Sequence, residues 1–540
     1  MNFFRNLDRF SFWIGFLAGT LTWWFISTVR PVLREARERL QENLQRWREG
    51  VTRGTEVRLR QDMLVYAQRS HVAASLCPLD ALLIPPALLV PPVYALPEEE
   101  ETFNAVGQVL PYLPDWPELG AVCNAPQIRL DDALSNGANI VIVGEAGYGK
   151  TVALAALASR MARQEALPPH LEGRLPLLIH VHDLPLDKAP LDAILEGLYT
   201  HTSLLTQAQL PKLLRTHIEH SLLLLDGLDE LPPAQLEQAA GFLKRLLEAY
   251  PGIQVVTTAT PRDYDGLTRL GFFPLAINTW NPSQQQAWLE KWRAMWHTLP
   301  QATEEVPDEI LRGWLYTWRQ HTTPLEYTVS MWALFAGDAL GNTPLDALEA
   351  HVRRLYPQDK RAEMARRIWD TLTQGKDTDF TEVAEESTSS PQEDAKPKKT
   401  EPPQVVRQHP VFSAYLVTGH ILENDLGEVL FGLPASPLKE LVQQYYAAQA
   451  DITPYLPDLL ESREDPLLRD TLRVARWLRL TPREAAWRPT AMRVLAQNVQ
   501  RATLPLGLRL RCVAALALSG DSGVGTLLAR LMENPSPTLR

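Results

Sequence analysis

A glycine-rich loop at residues 144–151 constrains this chain more than any other stretch. It reads GEAGYGKT, follows an apolar run at 140–143 and precedes an alanine- and leucine-rich helical run at 152–161. This strand–loop–helix order suits phosphate binding, because backbone N–H groups and the helix N-terminus then face phosphate oxygens. A glycine-rich turn with a chance lysine is the alternative, which the flanking strand and helix disfavour. The predicted nucleotide-binding residues of the loop are Gly144, Glu145, Ala146, Gly147, Tyr148, Gly149, Lys150 and Thr151.

Charged and hydroxyl side chains supply the chemistry that such a loop needs. Lys150 is expected to reach the β- and γ-phosphates, and the Thr151 hydroxyl to bind Mg²⁺. A leucine-rich run ends directly in Asp226, where a carboxylate is placed to hold the same Mg²⁺. Asp229 and Glu230 follow, and either is placed to orient or deprotonate an attacking water. The alternative for these acids is a charge cluster at a helix N-terminus.

Several further apolar runs predict the rest of a sheet. They lie at 177–181, 221–225, 253–258 and 275–277. Continuous apolar strands separated by helical segments are typical of a parallel sheet that is buried on both faces. Arg262 follows the third of these runs, where it is expected either to read a γ-phosphate or to be a surface arginine. We therefore expect an α/β P-loop NTPase core, a parallel sheet with helices on both faces.

Composition limits the class of partner. At 540 residues the chain should contain several domains. The net charge of −11 and the pI near 5.6 argue against a general nucleic-acid binder, so we expect no nucleic-acid partner. The cysteines lie at Cys77, Cys123 and Cys512, without metal-ligand spacing or a disulfide framework. Such usage suits a reducing compartment.

An uncharged stretch at residues 10–29 has the length that crosses a bilayer. We expect one transmembrane helix in residues 1–30, rather than a cleaved signal peptide or a buried core helix, since no small-residue cleavage site follows. Arginines cluster after the stretch, which places the NTPase and the C-terminal region in the cytoplasm, beneath the plasma membrane. Residues 31–124 are expected to form a helical stalk, either coiled coil or solvated, and a proline-rich connector.

The loop GEAGYGKT and the run LLLLDGLDEL at 222–231 together resemble the NACHT-type members of the STAND class of P-loop NTPases. The glycine after the strand aspartate, followed by an Asp–Glu pair, is a feature of that family. The resemblance implies a NACHT domain over 125–280 that binds ATP or ADP with Mg²⁺. The family's sensor segment usually reads Thr-Ser-Arg-Pro, whereas this chain has Thr-Ala-Thr-Pro-Arg at 258–262.

A helical domain at 281–356 is the next segment that the resemblance implies. Trp288, Trp292 and Trp296 share one helical face and are predicted to be core residues. Pro324 lies in a Thr-Pro-Leu sequence that resembles the family's proline motif, which packs beside the bound nucleotide. We therefore include Pro324 among the expected nucleotide-binding residues.

A winged-helix-like domain at 357–450 is expected next, interrupted by a polar stretch at 376–404 that should be disordered. Its closing helix is expected at 442–448, and Lys439 stands where the family often has a histidine that touches the β-phosphate. The tail at 451–540 is expected to be α-solenoid-like, because parts of it resemble HEAT-type repeats.

The resemblance implies a signalling switch that is controlled by nucleotide. The tail would sense an unidentified partner, and the ATP-bound form would self-associate, in defence or stress signalling. Slow, Mg-dependent ATP hydrolysis would then reset the switch. Two alternatives stay open at this point: a continuously cycling mechanochemical ATPase, and a scaffold that binds nucleotide without significant turnover.

Overall fold

The computed structural model describes residues 54–90, 116–122, 125–165, 167–299, 306–307, 309–311, 313, 322–341, 343–374, 408–460 and 465–533. The chain separates into two compact units, and all the elements named below lie in the second, which begins at Arg60. The predicted membrane stretch, the predicted insertion at 376–404 and most of the predicted stalk lie outside the described residues.

One mixed sheet contains all the strands of the described residues. These strands are β1 (Leu88–Leu89), β2 (Gln127–Ile128), β3 (Asn139–Val143), β4 (Leu175–His180), β5 (Ser221–Asp226), β6 (Gln254–Ala259) and β7 (Phe272–Ile277). They are ordered β2-β1-β7-β3-β6-β5-β4. The five strands from β7 to β4 run parallel, whereas β1 is antiparallel to both of its neighbours.

The parallel part of this sheet confirms the strands that the apolar runs predict. All six residues of β4, β5 and β6 are buried, since helices cover these strands. The short antiparallel strand β1 was not predicted: it lies in the proline-rich connector, and its Leu88 and Leu89 pair with Ile277 and Ala276 of β7. A part of the connector is thus built into the sheet.

The helices of this region join and cover the strands. They are α1 (Leu79–Leu82), α2 (Pro117–Val122), α3 (Leu130–Ala133), α4 (Lys150–Arg163), α5 (Pro190–Tyr199), α6 (Leu204–Gln207), α7 (Leu210–His217), α8 (Pro233–Ala249) and α9 (Asp265–Arg269). The phosphate-loop helix α4 packs against β4, β5 and β6, and α5 packs against β4. The alanine-rich face of α4 allows this close approach, because Ala153, Ala155 and Ala158 are fully or almost fully buried.

A helical region follows the sheet and consists of α10 (Pro282–Trp296), α11 (Pro324–Phe335) and α12 (Pro344–Leu355). Capping boxes at Asn281 and Thr323 begin α10 and α11 by satisfying their first backbone N–H groups. Trp288, Trp292 and Trp296 are all buried, in one apolar cluster with residues of α11. The prediction that these tryptophans are core is confirmed.

Helices also make up the described part of the next region. They are α13 (Gln358–Gln374), α14 (Pro410–Glu423), α15 (Gly427–Gly432) and α16 (Pro437–Ala447). α14 packs against both α13 and α16. Between 343 and 460 the described residues contain no strand. The winged-helix-like assignment therefore stays a prediction.

The tail is helical, with α17 (Leu456–Leu460), α18 (Arg469–Trp477), α19 (Arg488–Gln500), α20 (Leu506–Leu518) and α21 (Ser522–Met532). Helix α18 packs against α16, α19 and α20. Arg488 is buried between these helices, where it donates to the carbonyls of Leu478 and Thr481. The finer assignment of this tail to HEAT-like repeats has no support beyond its helices.

The predicted transmembrane helix and the single-pass location in the plasma membrane are corrected. A bilayer span needs about 20 predominantly apolar residues in one helix. Among the helices of the described residues, none has that combination of length and apolar content. The fold class is thus a parallel-dominant α/β core followed by a helical C-terminal region.

Candidate functional site

The phosphate loop joins the end of β3 to the start of α4. Gly147 and Gly149 have φ of +85° and +90°, in the left-handed region that favours glycine. Gly147 also lies against α11, so that an added Cβ would be 3.2 Å from Thr323 Oγ1. The amide of Leu325 donates to the carbonyl of Gly147 at 3.1 Å. The loop therefore takes its shape both from its glycines and from its contact with α11.

Lys150 is buried at the first position of α4 and turns back over the loop. Its Nζ donates to the carbonyls of Gly144 and Glu145, both at 2.8 Å, and lies 3.0 Å from Asp229 Oδ2. The lysine is thus held above the loop, where a phosphate group would replace part of these contacts. Thr151 is exposed at the next position. Its hydroxyl interacts with the Asp226 carboxyl and lowers the pKa of that group.

Asp226 ends β5, two strands away from the phosphate loop. Burial raises the pKa of Asp226 to about 6; the neighbouring carboxylates of Asp229 and Glu230 add to this effect, although His180 and Thr151 oppose it. A divalent cation would relieve the same repulsion, so the carboxylate and the Thr151 hydroxyl fit Mg²⁺. The described residues contain no cluster of three or more His, Cys, Asp or Glu side chains with the geometry of a metal site.

The acidic pair beyond β5 separates into two environments. Asp229 is tied on both sides, because Oδ1 accepts from Thr258 Oγ1 at 2.6 Å and Oδ2 pairs with Lys150. Glu230 Oε2 lies 3.7 Å from Nε2 of His180 and 4.0 Å from Nε2 of His182. Burial raises the pKa of Glu230, but His180 and the other nearby imidazoles outweigh it and lower that pKa to about 2.

His180 explains the glycine that follows Asp226. Gly227 has φ +85°, and an added Cβ would lie 2.5 Å from both Cε1 and Nε2 of the His180 ring. His180 reaches this position because β4 and β5 are neighbours in register, with His180 opposite Asp226. Sequence reasoning missed both His180 and His182. Two histidines just after the apolar run at 177–179 were the available signal.

Arg262 is placed beside the phosphate loop rather than on the open surface. One of its guanidinium nitrogens lies 3.3 Å from Glu145 Oε2 and 2.7 Å from Glu440 Oε2. Glu440 belongs to α16 and was not predicted. The adjacent Lys439 points elsewhere, since its Nζ donates to the carbonyls of Phe431 and Leu433. Of these two neighbouring residues on α16, Glu440 contacts the NTPase core and Lys439 does not.

A cavity lies beside the phosphate loop and is shared by four parts of the chain. The predicted site residues that line it are Glu145, Ala146, Tyr148, Asp229, Glu230 and Arg262. Pro324 begins α11, and its neighbours Thr323 and Leu325 line the cavity. Gly144 does not line the cavity; its amide donates to the Ala259 carbonyl of β6 at 3.1 Å. The structure thus brings six of the predicted residues around one cavity, beyond the carboxyl ends of the parallel strands.

Three arginines of the tail also line this cavity, and sequence reasoning missed them. They are Arg473, Arg476 and Arg479. Their spacing of three residues was the available signal, because it places the side chains on one side of a helix. This signal is weak, since exposed helical arginines often follow the same spacing. Only their contacts distinguish them: Arg473 pairs with Glu440 of α16, Arg476 donates to Tyr148 of the phosphate loop and Arg479 pairs with Glu326 of α11.

Comparison with known families identifies the core. Residues 138–294 match the family model described as the NACHT domain. This part of the chain is therefore a NACHT domain, a P-loop NTPase domain of the STAND class, and nucleotide binding is expected of it. The match covers less than a third of the 540 residues. A search of curated proteins returned no match to the chain.

Proposed function

We propose that this protein is a nucleotide-controlled signalling switch that binds ATP or ADP with Mg²⁺. One observation carries the proposal: the cavity beside the phosphate loop is lined by the NACHT domain and by the helices α11, α16 and α18 of three later regions. A ligand in the loop therefore affects contacts that hold those regions together. Lys150 would bind the β/γ-phosphates, and Thr151 and Asp226 would hold Mg²⁺.

The two acids beyond β5, Asp229 and Glu230, are proposed to have different roles. Asp229 holds Lys150 and Thr258 and so positions the lysine. Glu230 is the part-exposed carboxylate, 28% exposed, and is the better placed of the two to orient a water. Its low pKa makes it a weak base, because general bases work best with a pKa near the operating pH. We propose that hydrolysis is slow, which suits a switch better than a continuously cycling ATPase.

Arg262 is proposed to report on the γ-phosphate. Its pairing with Glu145 and Glu440 links the NACHT domain to α16. A phosphate group would compete with these carboxylates for the same guanidinium, since both anions can accept two hydrogen bonds from its planar fork of donors. Displacement of Glu440 would loosen α16, which is how ATP would favour an open form. We propose that this open form self-associates, and that the helical tail receives an unidentified protein or ligand trigger.

Opposite behaviour of two variants tests the switch. Lys150→Ala should stay in the small form, because it loses the cation that faces the phosphates. Glu230→Gln should bind ATP but hydrolyse it more slowly, so it should accumulate as ATP-dependent oligomers. Light scattering of each variant with and without Mg-ATP measures the masses. Equal masses in all four samples would exclude the switch and leave a cycling ATPase or a scaffold, which the steady-state ATPase rate of the unmodified protein then separates.

A further inference from the structure

The tail helix α18 contacts the phosphate loop directly, although it follows that loop by more than 300 residues. Arg476 Nη2 donates to the hydroxyl of Tyr148 at 3.0 Å, and Nη1 lies 3.5 Å from Glu118 Oε1. The Tyr148 hydroxyl also donates to Glu118. The guanidinium carbon stands 4.5 Å from the centre of the Trp116 ring. Tyr148 lies between the two left-handed glycines, so this contact is made with the loop itself.

A second contact, from the turn after α18, supports the loop indirectly. Arg479 makes a bidentate pair with Glu326 at 2.7 and 2.8 Å. Glu326 in turn accepts from the amide of Thr323 and completes the capping box of α11. Leu325, which lies between Thr323 and Glu326 in the first turn of α11, donates its amide to the carbonyl of Gly147. Arg479 therefore acts on the loop through the first turn of α11.

The ion pairs of Arg476 and Arg479 are buried, so the loss of either partner would destabilise the fold. The side chains of Arg476 and Arg479 are 11% and 12% exposed, and those of Glu118 and Glu326 are 6% and 4% exposed. Removal of one partner from a buried ion pair leaves an uncompensated charge, so such pairs are either formed or broken. The loop backbone that would bind phosphate thus has a docked arrangement, and it loses two supports when α18 leaves.

We propose that α18 and the turn that follows it are a part of the nucleotide site, in which Arg476 of the helix and Arg479 of the turn are positioning residues that hold the phosphate loop in its binding conformation. The inference rests on the proposed function and specifies how the tail regulates the site. Docking of α18 favours bound ADP, and bound ADP favours docking of α18 by the same factor, because coupling between two sites is reciprocal.

The inference predicts a change in affinity from a residue that contacts Tyr148 of the phosphate loop and so supports the loop. Arg476→Gln in the full chain should weaken binding of a fluorescent ADP analogue by about tenfold, within the usual range of such coupling. Arg476→Lys keeps the charge and should recover part of the loss. The matched control is Arg469→Gln, at the exposed start of the same helix, which should change affinity by less than about twofold. Equilibrium titration of the analogue measures the affinity, and stopped-flow measures its dissociation rate.

A second measurement needs no variant, and it decides the matter if Arg476→Gln does not fold. Hydrogen exchange of the amides of α18 in the unmodified protein should slow about fivefold or more when ADP is added, by the same reciprocity. If ADP binds but neither the exchange of α18 nor the affinity of Arg476→Gln changes, the inference is wrong and the proposed function stands. Tighter binding by Arg476→Gln would also overturn it. If the unmodified protein binds no better than Lys150→Ala, the proposed function itself fails.

Discussion

Lys150→Ala is expected to weaken ATP binding by about 2–3 kcal/mol, or roughly 30- to 150-fold, because a buried charge-assisted contact to the phosphates is lost. The lysine also holds the loop carbonyls of Gly144 and Glu145, so the variant loses part of the support of the loop as well. Isothermal titration calorimetry with Mg-ATP measures the affinity, and the same titration with Mg-ADP shows how much of the loss comes from the γ-phosphate.

Lys244→Ala is the matched control, since it removes an exposed lysine from α8 within the same domain. Its affinity for ATP should equal that of the unmodified protein. Asp229→Asn separates the two roles of Lys150, because it removes the ion pair at 3.0 Å but leaves the cation in place. An affinity of Lys150→Ala within threefold of the control would contradict the assignment of the loop as the nucleotide site.

Gly227→Ala should lower stability by about 2–5 kcal/mol, the sum of a left-handed backbone penalty and of overpacking against a ring. The new Cβ would lie 2.5 Å from the His180 ring, which is itself buried between β5 and Glu230. The ring therefore has to move, and the hydrogen-bonded end of β5 moves with it. A fall in the thermal unfolding midpoint of the NACHT domain measures the effect.

A second glycine offers the control for this substitution. Gly241 lies within α8, where an added Cβ meets nothing closer than 3.9 Å, so Gly241→Ala should be neutral or stabilise by about 0.5–1 kcal/mol. Gly227→Ala combined with His180→Ala should recover the overpacking part but not the backbone part. Equal midpoints for Gly227→Ala and Gly241→Ala would show that the ring does not constrain this turn.

The sequence by itself determined the features that depend on neighbouring residues. The glycines of the phosphate loop, the lysine and threonine after it, and the aspartate at the end of an apolar strand are contiguous or periodic, so local backbone geometry dictates their types. The burial of the tryptophans of α10 was predicted for the same reason, since a helical repeat places them on one face. The five parallel strands were likewise predicted from continuous apolar runs.

Only the tertiary structure decided which distant residues complete the site. Strand order places His180 beside Gly227, and β4 and β5 are separated by 40 residues in the chain. The docking of α16 and α18 pairs Glu440 with Arg262 and Arg476 with Tyr148. No local pattern distinguishes these charged residues from ordinary exposed ones, because the free energy of a buried ion pair depends on burial and on a partner from another element. Pairing across long sequence separations is therefore what the sequence left open.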